Sequence, residues 1–183
     1  MRIEQQSLPG VLTIEPDRYG DARGFFQETW HTRRYAEIGV DASFVQDNIS
    51  FSAGNVVRGL HLQNPNPQGK LIWVLQGDVF DVAVDLRRGS PTFARWTAVV
   101  LTSENRRQLW IPAGFAHGFC VLSETALFAY KCTDFYAPEN ELTVRWNDPA
   151  IGIDWPVSDP VLSERDAAAP PLAALEPLLP TFP

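Results

Sequence analysis

The chain has 183 residues, 45% hydrophobic and 20% charged, which suits one soluble globular domain with a real hydrophobic core. Its net charge of −7 argues against a nucleic-acid binder, so an anionic ligand must be held by a local Arg and Lys cluster against the global field. No apolar run approaches the roughly 20 residues of a membrane span, and the polar residues 1–10 lack a signal core, so no membrane partner and a cytoplasmic address are expected.

In chain order, runs rich in Val, Phe, Trp and Thr, bounded by Gly, Pro, Asn or Asp, predict strands at 11–15, 24–30 and 44–49. A helix over 32–38, stopped by Gly39, separates the last two. Strands follow at 55–62, 70–75 and 78–86. In the last of these Phe80, Val82, Val84 and Leu86 alternate with Val79, Asp81, Ala83 and Asp85, a period of two with one apolar face. Gln76-Gly77-Asp78 reads as the turn before it. Further strands are expected at 95–101, 108–111, 117–122 and 125–133, and a short helix at 172–176 after Pro170-Pro171. The tail from Asp154 onward is Pro-rich, and its Trp155, Leu162, Leu172 and Leu175 predict packing on the body. No repeat or internal boundary is visible. Many strands with little helix predict a single all-β domain over 1–183, with a jelly roll as the best-fitting architecture.

Cys120 and Cys132 lie in apolar strand-like segments and read as small buried hydrophobes rather than a disulfide. Among the three histidines, His31 reads as a solvated helix-start residue. Pro112-x-Gly114-x-x-His117 resembles the second motif of the cupins. The first cupin motif supplies His-x-His and a Glu seven positions before a Gly. Here His61 is followed by Leu62 and Gln63, and Lys70 stands seven positions before Gly77. A Lys donates hydrogen bonds and cannot replace a carboxylate ligand. Val121 fills the last ligand position of the second motif. A transition-metal site needs about three or four converging donors, so the sequence predicts the scaffold without the metal. No Gly-rich dinucleotide fingerprint is present either, and no cofactor is expected.

Further motifs are Asp21-x-Arg23-Gly24-x-Phe26-x-Glu28, Gln46-Asp47-Asn48, Arg58-Gly59-Leu60-His61, the run 77–87, the run 130–136, Pro138-x-x-Glu141 and Leu162-Ser163-Glu164-Arg165-Asp166. In order and spacing, together with 112–119, they resemble the dTDP-4-dehydrorhamnose 3,5-epimerase family from about residue 10 to 172. The resemblance implies a cupin-type jelly-roll barrel with short flanking helices and a packed C-terminal tail. It implies metal-free conversion of dTDP-4-dehydro-6-deoxy-D-glucose to dTDP-4-dehydro-L-rhamnose, and a homodimer with strands exchanged between subunits. His61 would be the general base, oriented by Asp166, Tyr130 the general acid, and Lys70 the stabiliser of the enolate. Arg23 and Arg58 would hold the diphosphate, and Tyr136 would stack on the thymine. Glu28, Gln46, Asn48, His117, Glu141 and Arg165 would line the substrate site, Arg165 standing where Lys is more usual.

The chemistry of these side chains agrees. Epimerisation beside a ketone needs a base for an acidified C–H, a cation near the carbonyl oxygen and an acid on the opposite face. Neutral His suits the first task near pH 7, Lys the second and a phenol the third. Tyr130 shares a strand face with Phe128 and Cys132, which favours an interior position. One geometric problem stands: in a regular strand Arg58 and His61 face opposite sides, and Gly59 between them would have to mark a bulge. The alternatives are a mono-epimerase or keto-isomerase of another deoxysugar, a metal-dependent cupin oxygenase, and a non-catalytic sugar-nucleotide binding module.

Overall fold

A computed structural model of the chain describes residues 1–182. The chain runs through β1 (Arg2–Gln5), β2 (Leu12–Glu15), β3 (Arg18–Asp21), β4 (Gly24–Gln27), α1 (Thr32–Glu37), β5 (Gln46–Ala53), β6 (Val57–Gln63) and β7 (Lys70–Gln76). It continues through β8 (Asp78–Asp85), β9 (Trp96–Thr102), β10 (Gln108–Ile111), β11 (Phe115–Val121), β12 (Thr125–Cys132), β13 (Glu141–Thr143), α2 (Glu164–Ala167) and α3 (Leu172–Leu175).

Two antiparallel sheets face each other, one ordered β1-β2-β10-β7-β12-β5 and the other β13-β6-β11-β8-β9. The fold is all-β with short helices, as expected. The space between the sheets is filled at one end by Ile72, Val74, Val79, Leu101, Leu109, Phe119 and Phe128. Burying such side chains is worth about 1.5–3 kcal/mol each. A second core lies on the outer face of the five-stranded sheet, where Val82, Val84 and Leu86 meet Ile151, Leu172 and Leu179 of the tail. The apolar row of β8 therefore packs against the tail, while its other row, with Asp81, faces the interior. The tail does pack on the body, as its apolar residues predict.

Two glycines fix the geometry that matters for the site. Gly77 closes the β7–β8 turn at φ +80°, and a Cβ there would stand 2.1 Å from the Thr125 carbonyl oxygen. Gly59 has φ +120°, and its Cβ would stand 2.7 Å from Gly118 Cα. His117 pairs with His61 but Phe119 pairs with Arg58, so β6 carries one extra residue over that interval. This is the bulge that the Arg58–His61 problem requires.

The helix at 32–38 forms with His31 as its N-cap, the ring Nδ1 accepting from the Arg34 amide at 3.5 Å. Four elements fall outside the predicted ones: the exposed β1 and β3, the short β13, and α2, whose one turn is capped by Ser163. The strand expected at 24–30 stops at Gln27. Both cysteines are buried and free. Among the described residues, no helix is long and apolar enough to cross a membrane.

Candidate functional site

One end of the space between the sheets is left open as a cavity of about 320 Å³, the lower range for a small-ligand pocket. Strand alternation builds its walls. The inward row of β5 presents Gln46, Asn48 and Ser50; that of β12 presents Phe128, Tyr130 and Cys132; β7 contributes Lys70. The opposite wall carries Arg58 and His61 from β6 and His117 and Phe119 from β11. The bulge at Gly59 turns Arg58 and His61 toward the same space. Tyr136, Glu141 and Arg165 form the rim.

His61 Nε2 lies 2.6 Å from Asp166 Oδ1, and Asp166 is 3% exposed. Burial pushes this carboxyl up most strongly. Bonds from His61, Ser163 and the Gly59 amide together outweigh it, and the carboxyl sits below its ordinary range. The pair spans 105 positions of sequence and forms because Ser163 caps α2 and accepts from the Asp166 amide at 3.1 Å. His117 Nε2 lies 3.0 and 3.1 Å from the two oxygens of Asp81, which is fully buried. Burial raises the Asp81 carboxyl, opposed by His117. The two His–Asp pairs sit side by side, since His61 and His117 are cross-strand partners.

Lys70 stands opposite Cys132 across the β7–β12 ladder. Its ammonium is held below the ordinary range by burial, with Cys132, Glu141 and Asp81 opposing. Burial raises the Tyr130 phenol, helped by Cys132 and Glu141 and opposed by Arg58, so it stays protonated at neutral pH. At the rim Tyr136 donates its hydroxyl to Glu141 at 2.5 Å, and Arg165 donates to the same oxygen at 2.7 Å and to Thr143 Oγ1 at 3.0 Å. Gln46 accepts from the Tyr136 amide at 2.8 Å and donates to Asn48 Oδ1 at 2.9 Å. Arg58 donates to Ser52 Oγ at 3.0 Å and to the Phe51 carbonyl at 3.3 Å.

Two expected members are elsewhere. Arg23 is 89% exposed and pairs with Asp21 at 2.5 Å. Glu28 pairs with Arg34 at 3.1 Å and lines a separate cavity with Met1 and Tyr35. The reason is topological: Arg23 lies on the β3–β4 ribbon, which pairs only with itself, and Glu28 directly follows it. Sequence reading also missed Asp81, Ser50, Phe119 and Gln68. Asp81 left a signal, a carboxylate in the middle of a strand whose other two, Asp78 and Asp85, stand at its ends; Ser50 left only its even-numbered place after Gln46 and Asn48. Gln63, at the cupin ligand position, points away to brace a loop, donating to the Asn66 and Phe135 carbonyls and accepting from the Ala137 amide. Among the described residues, no three His, Cys, Asp or Glu side chains are grouped as a metal site.

A family model described as dTDP-4-dehydrorhamnose 3,5-epimerase matches residues 5–174. The dTDP-4-dehydrorhamnose 3,5-epimerase of Pseudomonas aeruginosa is 56% identical over 168 residues, covering 91% of this chain and 93% of that one. That of Salmonella typhimurium is 54% identical over 173 residues, covering 93% and 94%. Among solved structures, the dTDP-6-deoxy-D-glucose-3,5-epimerase of Legionella pneumophila, in complex with dTDP-4-keto-L-rhamnose, superposes with a TM-score of 0.96 at 52% identity, covering 100% and 98%.

Proposed function

The chain belongs to the dTDP-4-dehydrorhamnose 3,5-epimerase family and is a carbohydrate epimerase, and from that premise we propose how its own residues act on dTDP-4-dehydro-6-deoxy-D-glucose. One observation carries the reading: His61, backed by Asp166, and Tyr130 stand on the two facing sheets, with Lys70 in the same cavity. A sugar between them offers one face to a base and the other to an acid. His61 removes the proton beside the ketone, and Asp166 fixes its ring and stabilises the imidazolium. Lys70 donates to the carbonyl oxygen as charge develops there, inside a pocket where such a contact is strengthened. Tyr130 returns a proton from the opposite face. Inversion follows, at C3 and at C5. Such acid–base assistance is worth about 10² to 10⁴ in rate. His117, Gln46, Asn48, Glu141 and Arg165 shape the site around the sugar and nucleotide, and Tyr136 at the rim stacks on the thymine. Neither a metal nor a nicotinamide enters this scheme.

The test is to incubate the purified protein with the keto sugar nucleotide in deuterium oxide and read C3 and C5 by NMR. Deuterium with inversion at both carbons is the expected result; inversion at one carbon would make the enzyme a mono-epimerase, and none at either would overturn the reading.

We take the assembly to be a homodimer working in the cytoplasm, the latter in keeping with two free thiols. The outward row of the edge strand β5 leaves Ile49 67% and Phe51 62% exposed, and the β3–β4 ribbon leaves Phe26 68% exposed. Apolar surface of this kind is where a second copy is expected to dock. Arg23, which does not line its own pocket, would then serve the diphosphate in the partner's. Mixing Arg23→Ala and His61→Asn subunits should restore activity that neither has alone. A monomer by light scattering, or no recovery on mixing, would refute this.

A further inference from the structure

The inward row of β5 runs one position past the cavity wall described above, to Ser52. After Gln46 and Asn48 it continues with Ser50 and Ser52, which stand opposite Phe128 and Ala126 of β12. Ser52 is 4% exposed, and its hydroxyl receives Arg58 Nε at 3.0 Å. A second bond runs from Arg58 Nη2 to the Phe51 carbonyl at 3.3 Å. Those bonds occupy two of the five N–H donors of a guanidinium and fix its plane. Ser50 differs from its neighbours. Its Oγ lines the cavity, is buried, and has no hydrogen-bond partner. A buried hydroxyl without a partner is costly, and such groups call for an explanation. A ligand atom in the cavity that accepts a hydrogen bond would satisfy it. A free hydroxyl and a fixed guanidinium lining one cavity suit an oxyanion, which accepts from both.

We propose that Ser50 is a substrate-binding residue that donates to a diphosphate oxygen beside Arg58, and that Ser52 is the positioning residue that aims the Arg58 guanidinium at the same group. This rests on the reading that the pocket takes a nucleoside diphosphate sugar. It assigns roles to two residues that sequence reading passed over, and it orders the wall: Gln46 and Asn48 toward the rim, Ser50 and Ser52 toward the phosphates.

Calorimetry with dTDP and with thymidine, which lacks the phosphates, separates the possibilities. Ser50→Ala should weaken dTDP binding about tenfold, the size of a lost hydrogen bond to a charged group, and leave thymidine binding unchanged. The same variant should raise KM with kcat nearly intact. Ser52→Ala should also weaken dTDP, Ser52→Thr should recover it, and in an Arg58→Ala background Ser52→Ala should have no further effect while Ser50→Ala still does. Unaltered dTDP affinity in Ser50→Ala, with unaltered thermal midpoint, would overturn the Ser50 assignment. A full additional loss from Ser52→Ala in the Arg58→Ala background would overturn the positioning role. If the parent protein binds no dTDP, the functional reading itself falls, and this proposal with it.

Discussion

His61 and Tyr130 face one cavity from different sheets, and their environments push them toward different tasks. Tyr130 is kept protonated by burial, so it begins as an acid; His61 is anchored by a carboxylate that remains ionised. Their removal should therefore produce defects of different kinds. His61→Asn should lose both inversion and wash-in of solvent deuterium. Tyr130→Phe should still exchange a proton through His61, returned to its original face, while inversion falls steeply. NMR of the sugar carbons in deuterium oxide reads both. Parent-rate inversion by Tyr130→Phe, or parent-rate exchange by His61→Asn, would show that the labour is not divided this way. At this scale most pocket residues were legible, because each belongs to a short motif of fixed spacing. Asp81 was not, since what pairs it with His117 is strand registry rather than a neighbour in sequence.

Among the elements, the decisive one is the bulged strand β6. Regular alternation would put Arg58 outside and His61 inside, and the extra residue at Gly59 brings both to the pocket. Gly59→Ala asks for an L side chain at φ +120° and a Cβ 2.7 Å from Gly118 Cα. The strained backbone alone costs about 1–3 kcal/mol, and the clash adds to it. We expect a clearly lower thermal midpoint together with loss of dTDP affinity through Arg58. A Gly59→Ala protein with parent stability and parent dTDP affinity would contradict this account of the bulge. The sequence offered Gly59 as a bulge candidate; only the registry of β6 on β11 made it one.

The whole molecule depends on its tail. Residues from β13 onward carry Asp166 to His61, cover the apolar row of β8 through Leu172 and Leu179, and return to the β8–β9 turn, where Arg88 bridges Thr181. Arg87 sits with its guanidinium 4.3 Å from the Phe115 ring and 4.8 Å from the Phe182 ring, and donates to Asp85 at 2.9 and 2.8 Å. Burial raises the Asp85 carboxyl most, but bonds from Arg87, Ser90 and Thr92 outweigh it and bring it to about 2. A folded value below the unfolded one contributes stability above the unfolded pKa near 4, and that contribution is lost as pH falls through about 2. Asp85→Asn should cost about 2 kcal/mol in urea unfolding at pH 7, and the gap to the parent should narrow from about pH 4 downward. A gap that is constant from pH 7 to pH 3 would remove the carboxylate from the explanation. Leu172→Ala, in the core between tail and sheet, should cost about 2–5 kcal/mol; a loss below that range would mean that the tail contributes little.

Beyond what the family resemblance implied for the pocket residues, the sequence by itself determined the strand-rich class, most of the strands, the turn at Gly77 and the absence of cupin ligand types at Gln63 and Lys70. These are local properties: side-chain period, backbone freedom and donor chemistry are written within a few neighbouring positions. Tertiary structure decided the rest. It set Asp81 against His117 across 36 positions, and it brought Asp166, which the family resemblance had assigned to His61, to that ring across 105. It sent the apolar row of β8 toward the tail, and it left Arg23 and Glu28 outside the pocket their motifs suggested. Each of those outcomes depends on which strands pair and which faces are covered. That is settled by burial summed over the whole fold, and no short stretch of sequence reports it.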